Sequence, residues 1–102
     1  GRPIAHLPVV YERLAGLRAE LDAVRLLALE ACWRKGGGLP ARELIVMAKI
    51  HATELAVRVG DAAMRTLGGW GYASGQGVER LLRDAHANVP AGLPTDRLRE
   101  LL

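Results

Sequence analysis

The sequence contains no phenylalanine, a single cysteine and few aromatic residues of any kind. The lone Cys32 excludes an internal disulfide, and its neighbours Ala31 and Trp33 predict a buried, unreactive thiol in a reducing compartment. No apolar run approaches the length of about 18 residues that a membrane-spanning helix requires, and the first residues show no apolar signal segment. These absences predict a cytoplasmic protein without a membrane span.

Clusters of like charge are also absent. The 14 basic and 11 acidic residues give a net charge of +3, but they alternate along the chain without a run of one sign. A nucleic-acid-binding surface would need a basic face with stacking aromatics or a recognisable module, and neither is present. The pattern is typical of solvated helix surfaces, and no nucleic-acid partner is expected.

Half of the residues are hydrophobic, and alanine and leucine supply most of them, which favours closely packed helices. Apolar positions recur at spacings of three and four in two long segments, as in amphipathic helices. The short connection "KGGGLP" at residues 35–40 makes these two helices antiparallel. The predicted fold is therefore a single all-α domain over residues 1–102. We predict helices over residues 8–35, 40–67, 76–86 and 95–102.

Two long helices cannot cover each other's apolar faces completely. An apolar face is therefore expected to remain for another chain or a further segment to cover. Gly16 and Gly60 lie inside the predicted helices, where glycine costs about 1 kcal/mol relative to alanine, and each is interpreted as a close helix crossing. The far half of the first helix is expected to be covered on more than one side, because further apolar residues widen its stripe. These are Leu26, Leu27, Leu29 and Trp33.

Residues that carry chemistry are scarce. Ser74, the only serine, has no nearby histidine, so no nucleophilic set is evident. His51 has no second ligand at metal-binding spacing and is interpreted as a core-edge histidine with one hydrogen bond. The stretch "GGWGYASGQG" follows a helix, whereas phosphate-binding loops follow a strand. Its backbone N–H groups beside the start of a helix at Val78 still leave two readings open, a helix stop or an anion contact.

Three segments together resemble a known family. "GRPIAHLPVVYERLAGLRAELDAVRLL", "ARELIVMAKIHATELAVRVGDAAMRTLGGWGY" and "VERLLRDAH" occur in the order, and with the GG-x-GY and V-E-R-L-x-R-D-A motifs, that are found in the C-terminal helical domain of acyl-CoA dehydrogenases. The resemblance covers nearly the whole chain. It implies a four-helix bundle that assembles into dimers or tetramers.

The family's activity is implied in the same way. Its members use a glutamate to remove an α-proton from an acyl-CoA and pass the β-hydride to FAD, and active members deliver electrons to an electron-transfer flavoprotein. By resemblance, Gly68 and Gly69 are the backbone approach to the FAD of a neighbouring subunit. Arg65 stands where the family usually has an FAD-contacting glutamine, so it either reaches the dinucleotide as a cation or loses the contact. Thr95 corresponds to a further FAD-contacting threonine, with helix N-cap as its alternative role.

Two departures limit the expected function. The first long helix of the bundle would lie upstream of Gly1, so the bundle is expected to be incomplete. No acidic residue lies between Asp84 and Asp96, so the usual catalytic glutamate is absent and no catalytic residue is predicted. The preferred interpretation is a C-terminal domain or fragment of such a flavoprotein that serves bundle packing, oligomerisation and part of the FAD site. The alternative is a stand-alone helical interaction module that no longer binds flavin.

Overall fold

The computed structural model describes residues 1–102, and all of its regular structure is helical, which confirms the predicted all-α fold. A single 3₁₀ turn at Ile4–His6 precedes five α-helices. These are α1 (Pro8–Gly36), α2 (Arg42–Leu67), α3 (Gly69–Tyr72), α4 (Val78–Asn88) and α5 (Thr95–Arg99). None of them combines the length and apolarity that a membrane crossing would need.

Helix α2 is the centre of the fold, and α1 lies antiparallel along one side of it. Near one end of the pair, the Arg13 guanidinium donates to the Thr66 hydroxyl at 3.3 Å. Further along, Arg58 of α2 forms an ion pair with Glu20 of α1. From the first pair to the second, the residue number rises along α1 and falls along α2, so the two helices are antiparallel.

Helix α4 runs antiparallel along the other side of α2. The Lys49 ammonium of α2 donates to the carbonyl oxygen of Asn88 at 2.7 Å, which satisfies one of the otherwise unpaired carbonyls at the end of α4. A Cβ atom at Gly60 would lie 2.8 Å from Leu82 Cδ1 and 3.2 Å from Leu82 Cα. Gly60 therefore permits the close crossing that its position predicts.

The protein core is thin. Only 12 of the 102 residues are buried, and the radius of gyration of 16.2 Å exceeds the value of about 13 Å expected for a compact domain of this size. The one compact cluster joins Val46 and Ile50 of α2 to Leu98 of α5. A bundle with so small a core is incomplete.

An apolar groove runs between α1 and α4, whose backbones do not approach each other. Its volume is about 490 Å³. The floor is formed by α2 and consists mainly of small residues. Leucine and valine side chains form much of the walls, and Asp84 and Asn88 of α4 also line the groove. The floor includes Ala52, Ala56, Gly60 and Ala63, and the walls include Leu21, Val24, Val78 and Leu81. This groove is the uncovered apolar face expected from the sequence.

Several helix boundaries differ from the sequence-based ones. Helix α2 begins two residues later, because Ala41 has a non-helical backbone with φ of −133°. Helix α4 begins later because Gly77 is left-handed with φ of 86°, and it continues to Asn88. Helix α5 ends at Arg99, since Leu101 and Leu102 form three-residue hydrogen bonds to Leu98 and Arg99 instead of continuing the α-helix.

Three expectations about α1 are wrong. Cys32 is exposed, because it lies about 100° around the helix from the buried Ala31. Leu26 and Trp33 are 68% and 67% exposed, so the far half of α1 is covered on one side only. Gly16 has no atom within 4 Å of a would-be Cβ, so it marks no helix crossing.

Gly60 and Gly16 form a matched pair for testing the helix crossing. Gly16→Ala should stabilise the chain by about 0.5–1 kcal/mol, because alanine favours the helix and meets no obstacle. Gly60→Ala should lower the free energy of unfolding, since the overpacking cost of about 1–3 kcal/mol exceeds that gain. Urea unfolding followed by circular dichroism at one protein concentration measures both. Equal stabilisation by the two substitutions would contradict the close crossing.

Candidate functional site

The glycine stretch after α2 folds as a sharp turn followed by one turn of helix. Gly68 has φ of 58° and ψ of −139°, a conformation that favours glycine, and its N–H donates to the Met64 carbonyl at 2.9 Å to end α2. A Cβ at the buried Gly71 would lie 3.1 Å from Leu67 Cβ. Helix α3, which the sequence does not predict, therefore packs its backbone against the end of α2.

This turn presents open backbone and two exposed aromatic rings. No atom lies within 4 Å of a would-be Cβ at Gly68 or Gly69, and the Gly69 N–H has no hydrogen-bond acceptor in the chain. Trp70 and Tyr72 are 70% and 80% exposed. A planar or polar ligand can therefore approach the backbone without displacing a side chain.

Arg65 lies on the last turn of α2, about 4.5 Å of helix rise before Gly68. Its Nε donates to Asp61 Oδ2 at 2.7 Å, and this hydrogen bond, with the charge of Asp61, raises the pKa of Arg65 above its ordinary value. Both side chains are exposed, so the ion pair is screened by solvent and weak. The structure thus brings Arg65, Gly68 and Gly69 together at one end of the molecule.

Thr95 lies at the opposite end. It is the first residue of α5 and only 4% exposed. Pro94 holds the N-cap position and no side chain caps the helix, so the alternative role of Thr95 as an N-cap is wrong. Helix α5 packs beside Ile50, about 27 Å along α2 from Gly68 at about 1.5 Å per residue. The structure therefore does not join Thr95 to the glycine turn.

The loop over residues 73–77 is held by a residue that the site predictions omit. Glu79 Oε1 accepts a hydrogen bond from the Gly75 N–H at 3.1 Å. This contact and the backbone N–H groups of Glu79, Gly77 and Arg80 hold the pKa of Glu79 below its usual range. The carboxylate thus ties the loop to the first turn of α4 through its hydrogen bond from Gly75. A glutamate in the first turn of a helix after a glycine loop is a detectable signal, because negative charge is favourable at a helix start.

His51 does not take the position inferred for it. The residue is exposed, so the expected position at the edge of the core is wrong. It borders a shallow groove of about 280 Å³ beside the Glu20–Arg58 ion pair. No group of three histidine, cysteine, aspartate or glutamate side chains is arranged to hold a metal ion.

Known proteins resemble this chain in sequence. A family model described as "Acyl-CoA dehydrogenase, C-terminal domain" matches residues 1–100. A probable acyl-CoA dehydrogenase of Bacillus subtilis, YngJ, is 38% identical over 83% of this chain and 22% of its own length. L-prolyl-[peptidyl-carrier protein] dehydrogenase of Pseudomonas fluorescens is 34% identical over 100% of this chain and 27% of its own length.

Solved structures share the arrangement of helices. A structure from work on the electron transferring flavoprotein of Acidaminococcus fermentans superposes with a TM-score of 0.94 at 28% identity, over 99% of this chain and 27% of that one. The FAD complex of PigA gives a TM-score of 0.93 at 28% identity, over 99% and 26%. The chain therefore spans about a quarter of the length of the proteins that it matches.

The Glu79 contacts predict a specific pH dependence. Because the folded pKa is lowered, the carboxylate's contribution to stability is fully present above the unfolded value of about 4.3. It is lost as the pH falls through the folded pKa. Glu79→Gln should therefore flatten the acid side of a plot of unfolding free energy against pH.

Glu43→Gln is the matched control for this substitution. Glu43 also lies in the first turn of a helix, α2, but it ties down no loop. Unfolding of each variant should be measured in urea at a series of pH values from neutral to below 4.3. If the unfolding free energy falls as steeply with decreasing pH in Glu79→Gln as in Glu43→Gln, Glu79 does not contribute in this way.

Proposed function

Because this chain belongs to the acyl-CoA dehydrogenase family, as a C-terminal helical domain, we propose that it serves a flavoprotein that oxidises an acyl-CoA. Its contributions are bundle packing, subunit contacts and part of an FAD site. The observation that carries the proposal is the open backbone at Gly68 and Gly69, with Arg65 one turn of helix away. FAD supplies hydride acceptance in such a flavoprotein, and this chain supplies contacts to it.

The contact to FAD is proposed at the glycine turn. The free N–H of Gly69 can donate to an oxygen of the dinucleotide, and no side chain blocks the approach. Arg65 is proposed to turn from Asp61 toward a phosphate, since a guanidinium pairs with phosphate oxygens. Thr95 is proposed to contact FAD separately from the turn, because it lies at the other end of α2.

The apolar groove between α1 and α4 is proposed to receive a fourth helix from the rest of the flavoprotein. Its floor of small residues lets a helix approach closely, and its leucine and valine walls supply the apolar contacts. Such a helix would complete the bundle and enlarge the thin core. Further apolar side chains on α1, including Leu26 and Trp33, are proposed to form contacts between subunits.

Proton abstraction is assigned elsewhere in the proposed flavoprotein. Residues 87–94 contain no carboxylate, so the base must come from another part of the protein. The proposed partners are a second copy of the domain, the remaining flavoprotein domains and an electron-transfer flavoprotein that accepts the electrons. The proposed location is the cytoplasm.

A chimera tests the FAD contact. Residues 1–102 should replace the matching segment of the Pseudomonas fluorescens relative, which aligns over the whole of this chain. The purified chimera is expected to be yellow and to retain FAD, as measured by visible absorbance and by FAD released on denaturation. A correctly folded chimera without FAD would reject the flavoprotein role and favour the interaction module.

Two variants of the chimera test Arg65 directly. Arg65→Ala should weaken FAD binding and reduce its dependence on salt, because a cation facing phosphate is lost. Asp61→Asn should tighten binding, since it frees Arg65 from its ion pair. Titration calorimetry at two salt concentrations measures both effects. Unchanged affinity in both variants would show that Arg65 does not contact the dinucleotide.

The uncovered groove predicts that the isolated chain self-associates. Leu81 is 64% exposed on the groove wall, and Leu81→Glu should shift the chain to monomer, because a buried charge is costly. Leu102→Glu changes a similarly exposed leucine, at 59%, outside both the groove and α1 and serves as the comparison. Light scattering at micromolar concentration measures the mass. A monomeric parent chain would contradict the prediction, as would equal effects of the two variants.

A further inference from the structure

The loop over residues 73–77 joins the glycine turn to α4 and is held by few contacts. Gly75 and Gly77 are both left-handed, with φ of 93° and 86°, and the side chains of the loop are exposed. Backbone hydrogen bonds fix only its two ends, from Ala73 N–H to the Gly69 carbonyl and from Leu81 N–H to the Gly77 carbonyl. The single side-chain contact to the loop comes from Glu79.

The Glu79 carboxylate lies between the loop and the first turn of α4. Oε1 accepts from the Gly75 N–H at 3.1 Å, while Oε2 is shielded from solvent without a hydrogen-bond partner of good geometry. The N–H groups of Glu79 and Arg80 belong to the first turn of α4, an 11-residue helix, whose unpaired donors favour negative charge. The carboxylate therefore bridges the start of the helix and the middle of the loop.

We propose that Glu79 is a positioning residue for the glycine turn, and that its carboxylate fills the anion-binding start of α4 in place of an external phosphate. By holding the loop at Gly75, it fixes the direction in which the chain leaves α3. The consequence for FAD rests on the proposed function: a dinucleotide phosphate is kept from α4 and meets the Gly69 and Arg65 side of the turn.

The proposal requires both the charge and the length of glutamate. Glutamine keeps one oxygen acceptor but loses the charge, so Glu79→Gln should retain part of the effect. Aspartate is shorter by one methylene and should not reach the Gly75 N–H. Truncation in Glu79→Ala should leave an empty anion-binding site that a small anion can enter.

Anion rescue of Glu79→Ala distinguishes positioning from ordinary structural support. The 102-residue chain and its variants should be melted at one protein concentration in sodium chloride, acetate or inorganic phosphate of equal ionic strength. Glu79→Ala is expected to lose several degrees of Tm, and acetate or phosphate should restore at least half of the loss. The parent chain and the control Glu43→Ala should gain only the smaller, general stabilisation that phosphate gives to folded proteins. Absence of rescue beyond that in chloride would overturn the proposal.

A second measurement applies even where Glu79→Ala does not fold. The Gly75 amide proton should resonate further downfield in the parent chain than in Glu79→Gln, because a charged acceptor strengthens its hydrogen bond. Isotope-labelled samples and amide correlation spectra give this shift. An unchanged Gly75 amide would overturn the proposal.

The proposed effect of Glu79 on FAD binding is tested by a separate measurement of FAD affinity. In the chimera with the Pseudomonas fluorescens relative, Glu79→Ala should weaken FAD binding at least several-fold, and Glu43→Ala should not. A chimera that binds no FAD would reject the proposed function, while the rescue and amide measurements on the chain alone would still decide the role of Glu79. FAD affinity unchanged by Glu79→Ala would overturn the effect on the turn.

Discussion

The packing of every other α-helix against α2 is the constraint on which this structure depends. Helices α1, α3, α4 and α5 all contact α2, and the only other contact among the α-helices joins α3 to α4. A central helix with neighbours on separate sides buries a narrow strip around itself and cannot enclose a core. The 12 buried residues and the elongated shape, 54 by 25 by 21 Å, follow from this arrangement.

Small side chains on α2 explain both its tightest contact and its largest opening. Gly60 lets Leu82 of α4 approach within a distance that any Cβ would obstruct. On the same face, the alanines form the floor of the groove between α1 and α4. None of the chain's four aromatic side chains lines that space. The face is therefore suited to receive a helix from outside the chain.

Periodicity predicted the long helices because the spacing of apolar residues determines which face of a helix packs. Periodicity does not indicate which apolar residues are buried within the same chain. For this reason it did not predict that Cys32 and Trp33 are exposed. The helix α3 was missed because two of its four residues are glycine. Packing of Gly71 against Leu67 and Met64 overrides that poor propensity. Gly16 and Gly60 look alike in sequence, and only the position of α4 separates them.

The candidate site was predictable where it is local in sequence. Arg65, Gly68 and Gly69 lie within two turns and meet in any helix-to-turn arrangement, whereas the distance of Thr95 from them depends on where α5 docks. The charges beside the turn follow the same rule, since Asp61 reaches Arg65 and Glu79 reaches Gly75 from four residues away.

These two carboxylates are not equivalent toward a dinucleotide. The Asp61–Arg65 pair is open to solvent on both sides, so water and salt already compete with it, and a phosphate can replace the aspartate at little cost. Glu79 instead accepts a hydrogen bond from the Gly75 N–H, and its other oxygen is shielded from water. It is also tethered to the first turn of α4, where negative charge is favourable. An approaching phosphate must displace this intramolecular anion to reach α4. This difference between the two carboxylates is the electrostatic basis of the proposal that a phosphate meets Arg65 and the open backbone of the glycine turn.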